Sequence, residues 1–122
     1  MKWNINKSIP ICPQVCEQIC VAIVNGTLKP KEKLCSVREL ALELGVNPNT
    51  IQKSFDILET QGIIYSVRCS GWYVAEEVEK TKEIVSKIVL KKSIDYLKDM
   101  ANLGYNKDEV IAYLKKVGDE NE

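Results

Sequence analysis

SVRELALELGVNPNTIQKSFDILETQG, residues 36–62, holds two helix starts and two helix stops in one short run. Ser36 and Glu39, three positions apart, form a capping box, in which each side chain satisfies an orphan amide of the helix start. Val37, Leu40, Ala41 and Leu44 then share one apolar face. Gly45 stands where a helix ends on a left-handed residue. Only Val46 separates it from Asn47, a good cap, and from Pro48, which suits a first helical position because it has no amide to satisfy. Ile51, Phe55 and Leu58 mark a second buried stripe, and Gly62 ends it. Two short helices joined by so tight a turn predict a helix-turn-helix.

Downstream, IIYSV and GWYV are β-prone runs around the connector RCS, which predicts a hairpin with its tip near Arg68–Gly71. Upstream, Ile11, Val15, Ile19 and Ala22/Ile23 repeat at helical spacing over residues 11–25, with Gly26 as the stop. Pro30 follows in a polar connection. Helix, helix-turn-helix and hairpin in this order make a winged helix. From Glu76 the composition shifts to one long helix with acids in its first turn, broken by Gly104. Asn106 with Glu109 opens a last helix. The expected fold is mainly α: a winged helix-turn-helix with a β-hairpin wing over residues 1–75, then a two-helix region over residues 76–122.

The bulk numbers agree with a small globular chain. It has 122 residues, 45% hydrophobic and 28% charged, too apolar for disorder and about one domain long. No apolar run approaches the roughly 20 residues of a membrane span, and the start MKWNINKS lacks an apolar signal core, so a cytoplasmic protein without a membrane partner is expected. Net charge is zero. Residues 1–75 carry eight Lys/Arg against six Asp/Glu, and residues 76–122 carry nine against eleven. A polyanion site must therefore be a local patch. The absence of histidine excludes Ser-His and Cys-His catalytic pairs and His-ligated metals. With no phosphate-binding glycine loop and no convincing carboxylate cluster, neither an enzyme nor a cofactor is expected.

Residues 9–74, through LKPKEKL, SVRELA, GVNPNTIQKSFDILETQGII and GWYV, resemble the DNA-binding domain of the GntR family of bacterial transcription regulators. The short tail with LGYNKDEVIAYL resembles the YtrA subfamily, whose two C-terminal helices make a dimer in place of a large effector domain. The resemblance implies a homodimeric regulator, a repressor of a pseudo-palindromic operator, with ABC-transporter operons as candidate targets. Three positions depart from the family pattern: Lys31 and Cys69 stand where it usually has Gly, and Cys35 where it usually has Pro.

A helix in the major groove reads bases with side chains near its N-terminus. Asn47, Pro48, Asn49, Thr50, Gln52 and Lys53 occupy that stretch. Asn and Gln can pair bidentately with adenine, and Thr can touch a thymine methyl or a phosphate. Arg38 can clamp a phosphate or a guanine, and the resemblance makes it a DNA contact. Arg68 at the wing can reach a phosphate or the minor groove. Ser36, Ser70 and Gly71 complete the expected interface. The alternative for Arg38, Gln52 and Lys53 is a solvated helix face, for Asn47 a cap alone, and for Trp72 and Tyr73 wing packing rather than base stacking.

The tail offers a dimerisation stripe: Ile84, Val85, Ile88, Ile94, Leu97, Ala101, Val110, Ile111 and Leu114. Two helices alone leave too much of it uncovered, so a second copy is the expected partner; the alternative is folding back on the first domain. A small-molecule effector is left open.

ICPQVCEQIC, residues 11–20, spaces Cys12, Cys16 and Cys20 four apart. On a helix, Cys12 and Cys20 stand about 12 Å apart along the axis, too far for one zinc. Cys12 is expected in packing, and Cys16 and Cys20 at the surface, where they are either passengers or the reactive thiols of a thiol- or metal-responsive regulator. A winged helix used only for protein contacts is the remaining alternative.

Overall fold

In a computed structural model that describes residues 1–121, the order is α1 (Ile11–Val24), α2 (Val37–Leu44), α3 (Pro48–Thr60), β1 (Ile64–Val67), β2 (Gly71–Val74), α4 (Glu79–Asn102) and α5 (Lys107–Asn121). The chain separates into two compact units, residues 1–85 and 86–122.

In the first unit α3 is the centre. Ile51, Phe55 and Leu58 are fully buried along its stripe, and it packs against α1, α2 and β1. α1 contributes Val15, Ile19, Ala22 and Ile23, and α2 contributes Leu40 and Ala41. The turn between α2 and α3 forms as the sequence predicts. Ser36 Oγ accepts the Glu39 amide at 3.1 Å, and the Ser36 amide donates to the Glu39 carboxylate at 3.4 Å. Gly45 takes φ +66°, a left-handed conformation that costs a β-carbon-bearing residue free energy. Asn47 then caps α3, its Oδ1 accepting the Asn49 amide at 2.8 Å.

β1 and β2 pair antiparallel, from Ile64 opposite Val74 to Val67 opposite Gly71. Ile63, Ile64 and Val74 are buried, which seats the hairpin on the core. Trp72 meets Phe55 edge to face at 5.4 Å, so its wing-packing reading holds. Residues 31–34, expected as a plain polar connection, run beside β2 as a third edge. Lys31 and Leu34 donate their amides to Val74 and Trp72 carbonyls at 2.9 and 2.8 Å, and Val74 donates to Glu32 at 2.9 Å. Periodicity could not reveal this, because the pairing partner is remote in sequence.

α4 begins at Glu79 rather than Glu76. Thr81 is buried, and Ile84 and Val85 pack against the first unit's core. Those two members of the expected dimerisation stripe are thus occupied within the chain. In the second unit Gly104 takes φ +91°, and the Tyr105 amide returns to the Met100 carbonyl at 3.0 Å. Asn106 and Glu109 form the expected reciprocal cap of α5, at 3.0 and 3.1 Å.

Candidate nucleic-acid interface

The start of α2, the body of α3 and the hairpin converge on one open concavity of about 480 Å³. Of the expected interface residues, Ser36, Arg38, Gln52, Ser70 and Gly71 line it. Arg38 sits in the first turn of α2, exposed, with no salt bridge among the described residues. Its guanidinium therefore remains available to an anion. Gln52 is one α3 turn from Asp56 and donates to that carboxylate at 2.9 Å, which orients the amide. Ser70 Oγ contacts the Tyr73 hydroxyl, and Tyr73 stacks on Tyr65 with centroids 5.7 Å apart. Tyr73 thus packs within the wing.

The remaining residues lie outside this concavity. Asn47, Pro48 and Asn49 occupy the exposed start of α3, and Thr50 is half-buried behind them. The Asn47 side chain already serves as the cap, and Ser36 Oγ likewise. Lys53 is exposed on α3 and Arg68 at the hairpin turn. The turn closes where the Ser70 amide donates to the Val67 carbonyl at 3.0 Å.

Lys33 was not anticipated. It pairs with Tyr73 across the third edge, and its Cε lies 3.2 Å from where a β-carbon on Gly71 would sit. The ammonium therefore joins Arg38 in the same concavity. The only signal in the sequence was its place three residues before the Ser36 cap; the third-edge pairing was needed to give it meaning.

Lys31 and Cys69, the two positions where the family usually has Gly, hold φ of +67° and +63°, and are the non-glycine residues with positive φ among those described. Both positions thus take the left-handed conformation that glycine adopts most readily.

The cysteine expectation needs correction. Cys20 is buried at 2% exposure and Cys16 is half-buried; Cys35 and Cys69 are the exposed thiols. Cys20 fails the surface expectation because the stripe of α1 turned toward α3 is wider than the apolar residues alone suggest. Burial, with Cys12 nearby, pushes the Cys16 thiol up to about 12. Burial and the Glu17 carboxylate push Cys20 up to about 11. Such thiols stay protonated at neutral pH and are poor nucleophiles. Among the described residues no group of three or more Cys, Asp or Glu could hold a metal, and no helix is long and apolar enough to cross a membrane.

Residues 13–74 match the model of the bacterial regulatory proteins, gntR family. This chain belongs to the GntR family. It is 37% identical to the HTH-type transcriptional regulator YhcF of Bacillus subtilis, over 94% of this chain and 95% of that protein. It is 42% identical to the HTH-type transcriptional repressor YtrA of B. subtilis, over 61% of this chain and 57% of that protein. In structure it is similar to a GntR family regulator from Listeria monocytogenes, with a TM-score of 0.81 and 40% identity over 91% of this chain and 97% of that one. The DNA-binding domain of AraR in complex with operator ORX1 matches with a TM-score of 0.52 and 32% identity, over 62% of this chain and 92% of that one. These relatives are transcription regulators, and the YtrA-like branch of the family fits this GntR chain. Its fold is the family's winged helix, and its function is DNA-binding transcription regulation.

Proposed function

We propose that this GntR protein is a homodimeric repressor that grips a pseudo-palindromic operator with one reading head per half-site. The observation that carries the reading is the single concavity that gathers Arg38 and Lys33 beside Gln52 and the wing. Two cations there suit the phosphates, while the exposed start of α3 suits the major groove. A small head makes few contacts, so tight specific binding needs two half-sites. The tail supports a second copy: Ile94, Ile111 and Leu114 are 43%, 38% and 50% exposed, and Ala101 is exposed beside them. Ile88 and Leu97 are half-buried, and Val110 is buried in the single chain. The name of the YtrA relative supports repression, and an ABC-transporter operon is the proposed target class.

In a mobility-shift assay against the promoter of its own operon, the wild type is expected to shift the fragment specifically. Arg38→Ala should weaken binding by about 1–3 kcal/mol without moving the unfolding temperature. A promoter fragment that the wild type ignores, or an Arg38→Ala protein that binds like wild type, would sink the proposal.

A further inference from the structure

The segment ahead of α1 is held by side chains that imitate a strand. Gln18 Oε1 accepts the Asn4 amide at 2.9 Å, and its Nε2 donates to the Asn4 carbonyl at 2.6 Å. One turn earlier, Gln14 Oε1 accepts the Asn6 amide at 2.8 Å, and its Nε2 donates to the Asn6 carbonyl at 2.9 Å. Both backbone groups of two alternate residues are thus paired, as a neighbouring strand would pair them. The residues that alternate with them, Trp3 and Ile5, pack against the core. This alternation is that of an extended strand; it ends at Asn6, where a turn begins that the Ile9 amide closes on the Asn6 carbonyl at 3.4 Å, and Lys7 stands in that turn.

Lys7 is exposed, and its ammonium donates to the Gly45 carbonyl at 3.3 Å. Gly45 is the left-handed residue of the turn between α2 and α3. The same ammonium lies 2.9 Å from where a β-carbon at Gly45 would stand. The arm therefore reaches from α1 to the pivot of the helix-turn-helix, two residues before the Asn47 cap of α3. Lys7 makes no salt bridge among the described residues.

We infer that the arm Trp3–Lys7, riveted to α1 by Gln14 and Gln18, is a clasp that fixes the α2–α3 turn for DNA binding, with Lys7 as its positioning residue. This rests on α3 being the reading helix. An exposed ammonium adds little to global stability. The carbonyl it holds sits where a small rotation carries the whole of α3, and misplacement of contact groups costs binding.

The test uses the full chain and a duplex selected by the wild type from a random-sequence pool. Lys7→Met is expected to weaken binding about fivefold, the factor worth one hydrogen bond of about 1 kcal/mol, with an unchanged unfolding midpoint. The slope of log affinity against log salt should stay at the wild-type value. Without DNA, the Gly45 and Val46 amides, which donate to Leu42 and Ala41, should exchange faster with solvent. Lys7→Arg should restore both properties, and Gln18→Leu, which frees the arm, should reproduce the loss. A salt slope lowered by about one would make Lys7 a phosphate contact and overturn the clasp. Unchanged affinity, or unchanged exchange at the turn, would also overturn it. A wild-type protein that selects no duplex refutes the reading of α3, while the exchange arm still judges the clasp.

Discussion

The two units handle their apolar residues in opposite ways. In the first, the α3 stripe is sealed: Ile51, Phe55 and Leu58 have no exposure, and α1, α2 and the hairpin close around them. In the second, Val110 is buried, but most of the large apolar side chains stay at the surface, with Leu90 and Leu114 at 61% and 50% exposed. The reading head is complete as a single chain. The tail has a stable local geometry, with a reciprocal cap at Asn106 and an edge-to-face pair of Tyr105 and Tyr113 at 5.6 Å, but it lacks a cover. A surface of that kind is what a second copy removes from water.

The sealed core of the first unit is most vulnerable at Phe55. It is fully buried and carries the contact with Trp72, so Phe55→Ala should destabilise the chain by about 3–5 kcal/mol. Denaturant unfolding measures this. A loss under about 1 kcal/mol would mean that the core is looser than its burial implies. The matching change in the tail is Leu114→Lys. It should leave the unfolding of the reading head in place, yet convert a dimer to a monomer in sedimentation and weaken operator binding. A sedimentation profile identical to wild type would remove the tail from the interface.

How far the sequence discloses this contrast depends on how local each signal is. The caps at Ser36, Asn47 and Asn106, the stripe of α3 and the position of the hairpin depend on residues a few positions apart, so spacing alone reveals them. The third edge at Lys31–Leu34 is set by β2, which lies far along the chain, and Lys33 was missed with it. Ile84 and Val85 look like the rest of their stripe in the sequence. Only the packing of the start of α4 onto the first unit separates them from Ile94. Cys20 was misjudged for a related reason: a cysteine is small and apolar enough to fill a core, and the width of a buried face is a property of its neighbours.

A smaller effect sharpens the reading head itself. Cys69 holds φ +63° in an exposed turn, a conformation that costs a side chain about 1–2 kcal/mol. Cys69→Gly should relieve that strain and raise stability by about 1 kcal/mol, visible as a higher unfolding midpoint. The same substitution at Lys31 removes its ion pair with Glu76 at 3.3 Å, but both partners are exposed and the pair is worth little. Lys31→Gly should therefore also stabilise. A lower midpoint in both variants would show that the turns are not strained.

The smallest expected effect concerns the thiols of α1. Because folding raises Cys16 from 9.0 to about 12 and Cys20 from 9.0 to about 11, the native state favours their neutral forms. That stability is fully present below pH 9.0, the ordinary value, and is lost as pH climbs through the folded values. The chain should weaken progressively in the alkaline range, and replacing Cys16 with alanine should flatten the profile there. At neutral pH a thiol reagent should modify exposed Cys69 first, Cys35 more slowly because partial burial and the Glu43 and Glu39 carboxylates raise its thiol, and Cys20 only on unfolding, since its access is closed. Rapid labelling of Cys20 in the native protein, with α1 still helical by circular dichroism, would mean that α1 parts from α3. The sealed reading head would then be less different from the tail than its burial indicates.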